Sequence, residues 1–183
     1  MNIPNFITLV RILLIPVLVI LLLEGKNDLA LITFIIAGAS DALDGFIARL
    51  FKQKTAIGAF IDPIADKLLL ITSYITLAIF GKLPGWLAVI VVSRDVIIVT
   101  GIGILMLNNR PLEIKPTIDS KVTTFVQLLT ILFLLGKDYL GEINMIQTPL
   151  FYGTALITLY SGGHYLAIGI KILSNNDIKS ATD

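Results

Sequence analysis

Leu29-Ala30-Leu31-Ile32-Thr33-Phe34-Ile35-Ile36-Ala37-Gly38-Ala39-Ser40-Asp41-Ala42-Leu43-Asp44-Gly45-Phe46-Ile47-Ala48-Arg49-Leu50 is apolar along most of its length, yet it closes on two aspartates and an arginine. A run of roughly 20 apolar residues is what an α-helix needs to cross a bilayer. Five further stretches of similar length flank it: Phe6–Leu23, Ile61–Phe80, Trp86–Leu107, Val122–Leu140 and Pro149–Leu173. Short polar or Gly/Pro-bearing segments separate them. The pattern predicts an all-α integral membrane protein of six transmembrane helices, with one domain over residues 1–173 and a polar cytoplasmic tail over 174–183. No small-x-small cleavage site follows the first span, so it is expected to remain as a helix rather than leave as a signal peptide.

Composition agrees. The chain has 183 residues, 56% hydrophobic and 15% charged, where a soluble domain carries about a quarter charged residues. Its mean hydropathy is +0.90. The 14 Lys and Arg and 13 Asp and Glu could not cover the surface of a water-soluble globule this small. A net charge of +1 speaks against a nucleic-acid partner, and the lack of Cys against a disulfide scaffold. One His and no Cys make zinc sites and Cys or His nucleophiles poor candidates. Lys and Arg fall unevenly between the two sides of the predicted bundle. Arg11, Arg49, Lys52, Lys54, Lys67, Arg110, Lys115, Lys121, Lys171 and Lys179 lie on the side of the termini, against Lys26, Lys82 and Lys137 on the other. By the positive-inside rule both termini are expected in the cytoplasm of a cell (inner) membrane protein.

Within spans an ionised Asp costs roughly 2.5–3.5 kcal/mol by insertion measurements. Asp41 and Asp44 nevertheless close the second span, and Asp62 and Asp66 open the third. Each pair is spaced to share one helix face. A short loop joins the two helices, which places all four carboxylates at one depth, open to the cytoplasm. Hard oxygen ligands without His or Cys suit Mg²⁺, Mn²⁺ or Ca²⁺, and four carboxylates can hold two divalent ions in a phosphoryl-transfer clamp. Gly45, Ala48 and Gly58 leave room for a bulky ligand, and Arg49 can neutralise a phosphate. Pro63 suits a helix's first turn, so Asp62 is a candidate start or kink of the third helix. The same carboxylates also suit a proton or Na⁺ relay in a small transporter, or plain ion pairs with Arg49 and Lys67.

Read together, Asp41-x-x-Asp44-Gly45-x-x-Ala48-Arg49, eight residues, then Gly58-x-x-x-Asp62-x-x-x-Asp66 resembles the signature of the CDP-alcohol phosphatidyltransferases. The opening Asn2-Ile3-Pro4-Asn5-Phe6-Ile7-Thr8-Leu9-Val10-Arg11 and Asp62-Pro63-Ile64-Ala65-Asp66-Lys67 look like the phosphatidylglycerophosphate synthase and cardiolipin synthase branch. The resemblance implies six transmembrane helices, usually in a homodimer, and transfer of a phosphatidyl group from CDP-diacylglycerol to an alcohol with release of CMP. It implies that Asp41, Asp44, Asp62 and Asp66 organise two divalent ions, Mg²⁺ or Mn²⁺. By the same likeness Gly45, Ala48, Arg49 and Gly58 line the nucleotide diphosphate, and Asp66 is the general base on the acceptor hydroxyl. Asn5, Thr8 and Arg11 would sit at the cytoplasmic lip near the nucleotide; a helix cap and an interfacial anchor are the alternative reading.

The acceptor is read from the fourth and fifth spans. Phosphatidylglycerophosphate synthases usually show Gly-Lys-x-Lys-Thr, where this chain has Ser120-Lys121-Val122-Thr123-Thr124. Losing a Lys favours a less charged acceptor, phosphatidylglycerol, as in a cardiolipin synthase. Arg11, Arg94, Lys115 and Lys121 remain candidates for an acceptor-phosphate pocket, and glycerol 3-phosphate is the expected acceptor. Arg94 and Asp95 can instead pair with each other. His164 reads as a packing residue, and Gly162 and Gly163 as sites of close helix contact.

Overall fold

The computed structural model describes the backbone of residues 3–50, 56–107, 118–140 and 144–180, and side chains within 8–40, 65, 67–101, 118–139 and 145–171. Seven helices and no strands occur among the described residues: α1 (Ile3–Leu23), α2 (Asn27–Leu50), α3 (Ala56–Ile79), α4 (Gly85–Leu107), α5 (Ile118–Leu135), α6 (Lys137–Leu140) and α7 (Asn144–Ser180). The six long helices match the six apolar stretches. Their packing closes in a circuit, α1 on α3, α3 on α4, α4 on α7, α7 on α5, α5 on α2 and α2 on α1, while α3 also touches α2 and α5 across the middle.

Three boundaries differ from the sequence expectation, each for a physical reason. Helix α3 begins at Ala56, so Pro63 lies inside it rather than in its first turn. The fifth stretch breaks at Gly136, whose N–H returns to the Leu132 carbonyl at 2.8 Å, and α6 is a separate turn. Helix α7 continues to Ser180, because neither Gly nor Pro occurs from Ile172 to Ser180 to stop it.

Glycine shapes two of the sharp connections. Gly25 and Gly81 have φ of 70° and 67°. Each follows a helix whose end is tied by a bond spanning five residues, Lys26 N–H to the Leu21 carbonyl at 2.9 Å and Lys82 N–H to the Leu77 carbonyl at 3.0 Å. This is the left-handed glycine cap, which an L side chain would strain. At the same end Lys82 Nζ donates to Asn27 Oδ1, and Asn27 Nδ2 donates to Asp138 Oδ2 at 3.1 Å. Those bonds join α2, the α3–α4 turn and α6.

The interior has two unlike halves. Leu18, Leu22, Phe34, Leu70, Leu77, Leu83, Leu87, Val91, Ile131 and Leu135 form a dry core towards the glycine-turn end. Towards the opposite end the buried residues include Thr8, Arg11, Arg94, Asp95, Thr123, Gln127, Thr158 and Ser161. Along the α5–α7 seam, Thr130 and Thr154 share a hydroxyl bond of 2.8 Å, and Gln127 Nε2 donates to Thr158 Oγ1 at 3.1 Å. Such pairs hold helices together where apolar burial gives no preference.

The outer faces reverse the usual order. Leu13, Ile20, Ile32, Ile79, Val89, Val99, Phe125, Leu156 and Ile170 are exposed. Large apolar residues outside and polar ones inside suit an apolar solvent. Among the described residues one helix, Ile118–Leu135, is by length and composition long and apolar enough to cross a membrane; Thr8–Leu23, Asn27–Ser40 and Lys67–Ile79 are shorter apolar stretches.

Gly162 is buried where α7 meets α4, and a Cβ there would stand 3.4 Å from Arg94 Cγ. Gly163, one residue on, has nothing within 4 Å, so close contact belongs to one glycine of the pair. Gly162→Leu is therefore expected to cost about 1–3 kcal/mol through overpacking. Gly163→Leu is expected to leave the thermal midpoint in detergent within a degree or two of the parent, at roughly 2–4 °C per kcal/mol. Equal midpoints for the two variants would contradict this packing.

Candidate active site

The signature divides between two helices. Asp41, Asp44, Gly45, Ala48 and Arg49 lie in the last turns of α2, and Gly58, Asp62 and Asp66 in the first half of α3. Both segments are regular helix, so the 3- and 4-residue spacings within each pair do place its members on one face. By chain direction the two segments stand at the polar end of the bundle, opposite the glycine turns. The side chains of these eight residues, with those of Asn5 and Lys115, lie outside the described residues. Among the described residues no group of three or more His, Cys, Asp or Glu could hold a metal. The donor set of the signature does fit hard divalent ions, since it is all carboxylate oxygen.

At the same end the structure places several candidates in the interior. Thr8 and Arg11, one turn apart on α1, are both buried, and both have polar or electrostatic contacts. Lys121 is exposed on the first turn of α5. Arg94 on α4 is not open. Its Nη1 donates to Asp95 Oδ1 at 2.7 Å, and its Nη2 donates to Ser120 Oγ at 2.7 Å and Ser161 Oγ at 2.9 Å. The guanidinium carbon also stands 6.0 Å from the centroid of the Tyr165 ring, within cation–π range. Arg94 thus pairs with Asp95 and bolts α4 to α5 and α7.

The sequence offers Lys67 as a partner for the signature carboxylates. Among the described residues its ammonium pairs with Asp95, on the same Oδ1 that takes Arg94. Asp95 and Arg94 are almost wholly buried, at 1% and 2% side-chain exposure, whereas Lys67 keeps 26%. The helix that carries Asp66 is thereby linked through Lys67, Asp95 and Arg94 to Ser120 at the start of α5. Sequence reasoning missed Ser120 and Ser161 as partners of Arg94. The signal was present: Ser120, Thr123, Gln127 and Thr130 on α5, and Thr154, Thr158 and Ser161 on α7, recur at helical spacing as one polar stripe on each helix.

His164 also departs from the packing role. It is exposed on α7, and its Nδ1 lies 2.5 Å from Asp119 Oδ2 on α5. Beside this pair a shallow groove of about 350 Å³ runs between α5 and α7, lined by Val122, Leu156, Ile157 and Tyr160.

Comparison with known proteins places these features in one family. A model of the CDP-alcohol phosphatidyltransferases matches residues 1–160. The cardiolipin synthase (CMP-forming) of Rattus norvegicus is 34% identical over 93% of this chain, which spans 62% of that protein's length. The CDP-diacylglycerol–glycerol-3-phosphate 3-phosphatidyltransferase of Haemophilus influenzae is 33% identical over 96% of this chain and 97% of its own. A probable phosphatidylglycerophosphate synthase of Mycobacterium tuberculosis is 32% identical over 93% of this chain and 82% of its own. With the signature on two regular helices at one end of an all-helical bundle, the chain belongs to the CDP-alcohol phosphatidyltransferase family.

Proposed function

We propose that this protein transfers the phosphatidyl group of CDP-diacylglycerol to glycerol 3-phosphate, giving phosphatidylglycerophosphate and CMP, in phospholipid biosynthesis. The observation that carries the reading is the complete signature, Asp41 to Asp66, in a chain similar over nearly its whole length to the Haemophilus enzyme named for that reaction. The bundle is read as six membrane-spanning helices with both termini in the cytoplasm, supported by its apolar exterior and the Lys/Arg asymmetry. The protein is read as a homodimer from the family likeness alone.

In this mechanism Asp41, Asp44, Asp62 and Asp66 would hold two divalent ions, Mg²⁺ or Mn²⁺. Bound there, the ions would supply charge neutralisation along the diphosphate and on the departing CMP. Arg49 adds a fixed positive charge to the diphosphate, and Gly45, Ala48 and Gly58 allow the nucleotide to approach the helix backbones. Asn5 and Thr8 border the same end of the bundle and contribute polar contacts to the nucleotide. Asp66 accepts the proton of the acceptor hydroxyl as the new P–O bond forms and the P–O bond to CMP breaks. A carboxylate is a weak base for an alcohol, but the proton becomes acidic only as the oxygen bonds to phosphorus.

A second reading takes phosphatidylglycerol as acceptor. Its support is the similarity to the Rattus cardiolipin synthase and the sequence Ser120-Lys121-Val122-Thr123-Thr124, which lacks the second Lys of the glycerol-phosphate pattern. The deciding experiment incubates purified protein with Mg²⁺, CDP-diacylglycerol and each acceptor in turn, following CMP release and the lipid product by mass spectrometry. Phosphatidylglycerophosphate as the product supports the first reading and cardiolipin the second. No CMP release with either acceptor would remove both readings of the acceptor and direct the screen to inositol phosphate and serine.

A further inference from the structure

Among the described residues the charged network around Asp95 holds two cations and one anion, and of these three Lys67 is the one that reaches the surface. Arg94 has both Nη groups committed to Asp95, Ser120 and Ser161. Asp95 is buried. Lys67 gives Asp95 one of its three N–H donors and is a quarter exposed. The residual positive charge of the trio is therefore carried outward by the Lys67 ammonium. Lys67 follows Asp66 directly on α3, and the network behind it reaches Ser161 and Ser120, the latter next to Lys121. Lys67 thus stands between the signature helix and the start of α5. Four carboxylates holding two divalent ions carry no net charge, so they leave this cation for another anion.

We propose that Lys67 binds the phosphate of the acceptor alcohol, its ammonium held in place by the buried Arg94–Asp95 pair. The proposal rests on the phosphatidyl-transfer reading and adds a specificity-determining residue to it. The shared chemistry is a phosphate anion on the acceptor, a free monoester in glycerol 3-phosphate and a lipid headgroup diester in phosphatidylglycerol. Asp95 acts only through Lys67 and is a positioning residue. Arg94 is the fixed end of the arrangement.

The test compares the parent with Lys67→Gln and Lys67→Arg in detergent, with glycerol 3-phosphate and phosphatidylglycerol as separate acceptors. Lys67→Gln leaves the Arg94–Asp95 pair in place, so the bundle keeps its fold. Losing a charge-assisted bond is expected to raise KM for the acceptor by about tenfold or more, with KM for CDP-diacylglycerol changed by less than about twofold. Lys67→Arg is expected to restore most of the acceptor affinity. The arm showing the rise identifies the source of the phosphate. An unchanged acceptor KM, or an equal rise for CDP-diacylglycerol, would overturn the assignment. Thermal stabilisation of the protein by each acceptor is measured in parallel, because it does not depend on turnover. Stabilisation lost in Lys67→Gln supports the assignment, and stabilisation equal to the parent's overturns it. Absence of CMP release from the parent with both acceptors would sink the reaction itself, a failure distinguishable from that of Lys67.

Discussion

Asp44→Asn is expected to slow CMP release by at least about a thousandfold while the purified protein keeps its thermal midpoint. The substitution preserves size and shape and removes one negative charge. A neutral amide is a poor ligand for a hard divalent ion, and the diphosphate then lacks the cation that stabilises charge on the leaving CMP. A thousandfold loss corresponds to about 4 kcal/mol of the barrier, within what one charge-stabilising group supplies in other enzymes. Stability should not follow activity, because four clustered carboxylates without a cation repel one another and removing one relieves that repulsion. Chelation of divalent ions in the parent protein is expected to mimic the variant, with recovery on adding Mg²⁺. Turnover by Asp44→Asn within tenfold of the parent would rule out the metal clamp. A transporter would show no dependence on CDP-diacylglycerol in either protein.

The second large effect is on stability. Asp95→Ala is expected to destabilise the protein by about 3–5 kcal/mol, since it leaves the Arg94 and Lys67 cations side by side with their shared carboxylate removed. At roughly 2–4 °C per kcal/mol the thermal midpoint should fall by roughly ten degrees. Arg94→Ala should cost less, because Asp95 keeps Lys67 as a counter-ion while the Ser120 and Ser161 hydroxyls and the Tyr165 ring, all neutral, lose a partner. The double variant Arg94→Leu/Asp95→Leu should recover part of the loss, as apolar replacement of a buried ion pair commonly does. A midpoint unchanged in Asp95→Ala, read by thermal unfolding in detergent, would show that the pair is not structurally coupled.

The helices and the signature are legible in the sequence for the same reason. In a bilayer-like interior every apolar run of about 20 residues must become a helix, and every charge within it stands out against that background. Asp41, Asp44, Asp62 and Asp66 can therefore be located on their helices from residue order alone. Boundaries are less legible. Pro63 suggests a helix start, but apolar Ala56, Ile57, Ala59 and Phe60 already favour helix upstream of it. The polar run after Leu173 suggests an end, but polarity without Gly or Pro does not stop a helix. Pairings across the bundle are the least legible. Arg94 and Asp95 are sequence neighbours and can be matched, whereas Lys67 to Asp95, Arg94 to Ser161 and His164 to Asp119 depend on which helices become neighbours in space. Nothing in local spacing encodes that α4 lies between α3 and α7.

Helix α7 has 37 residues, which at about 1.5 Å each span roughly 55 Å. A bilayer's hydrocarbon layer is about 30 Å thick. On the six-span reading the last helix is therefore far longer than its crossing requires, and the surplus continues without a break from the helical part that carries Ser161, Gly162 and His164. A headgroup layer or an adjoining molecule that displaced its far end would act along one continuous helix on Ser161, which holds Arg94. On that reading the length of this helix would make the polar end of the bundle continuous with the aqueous side of the membrane.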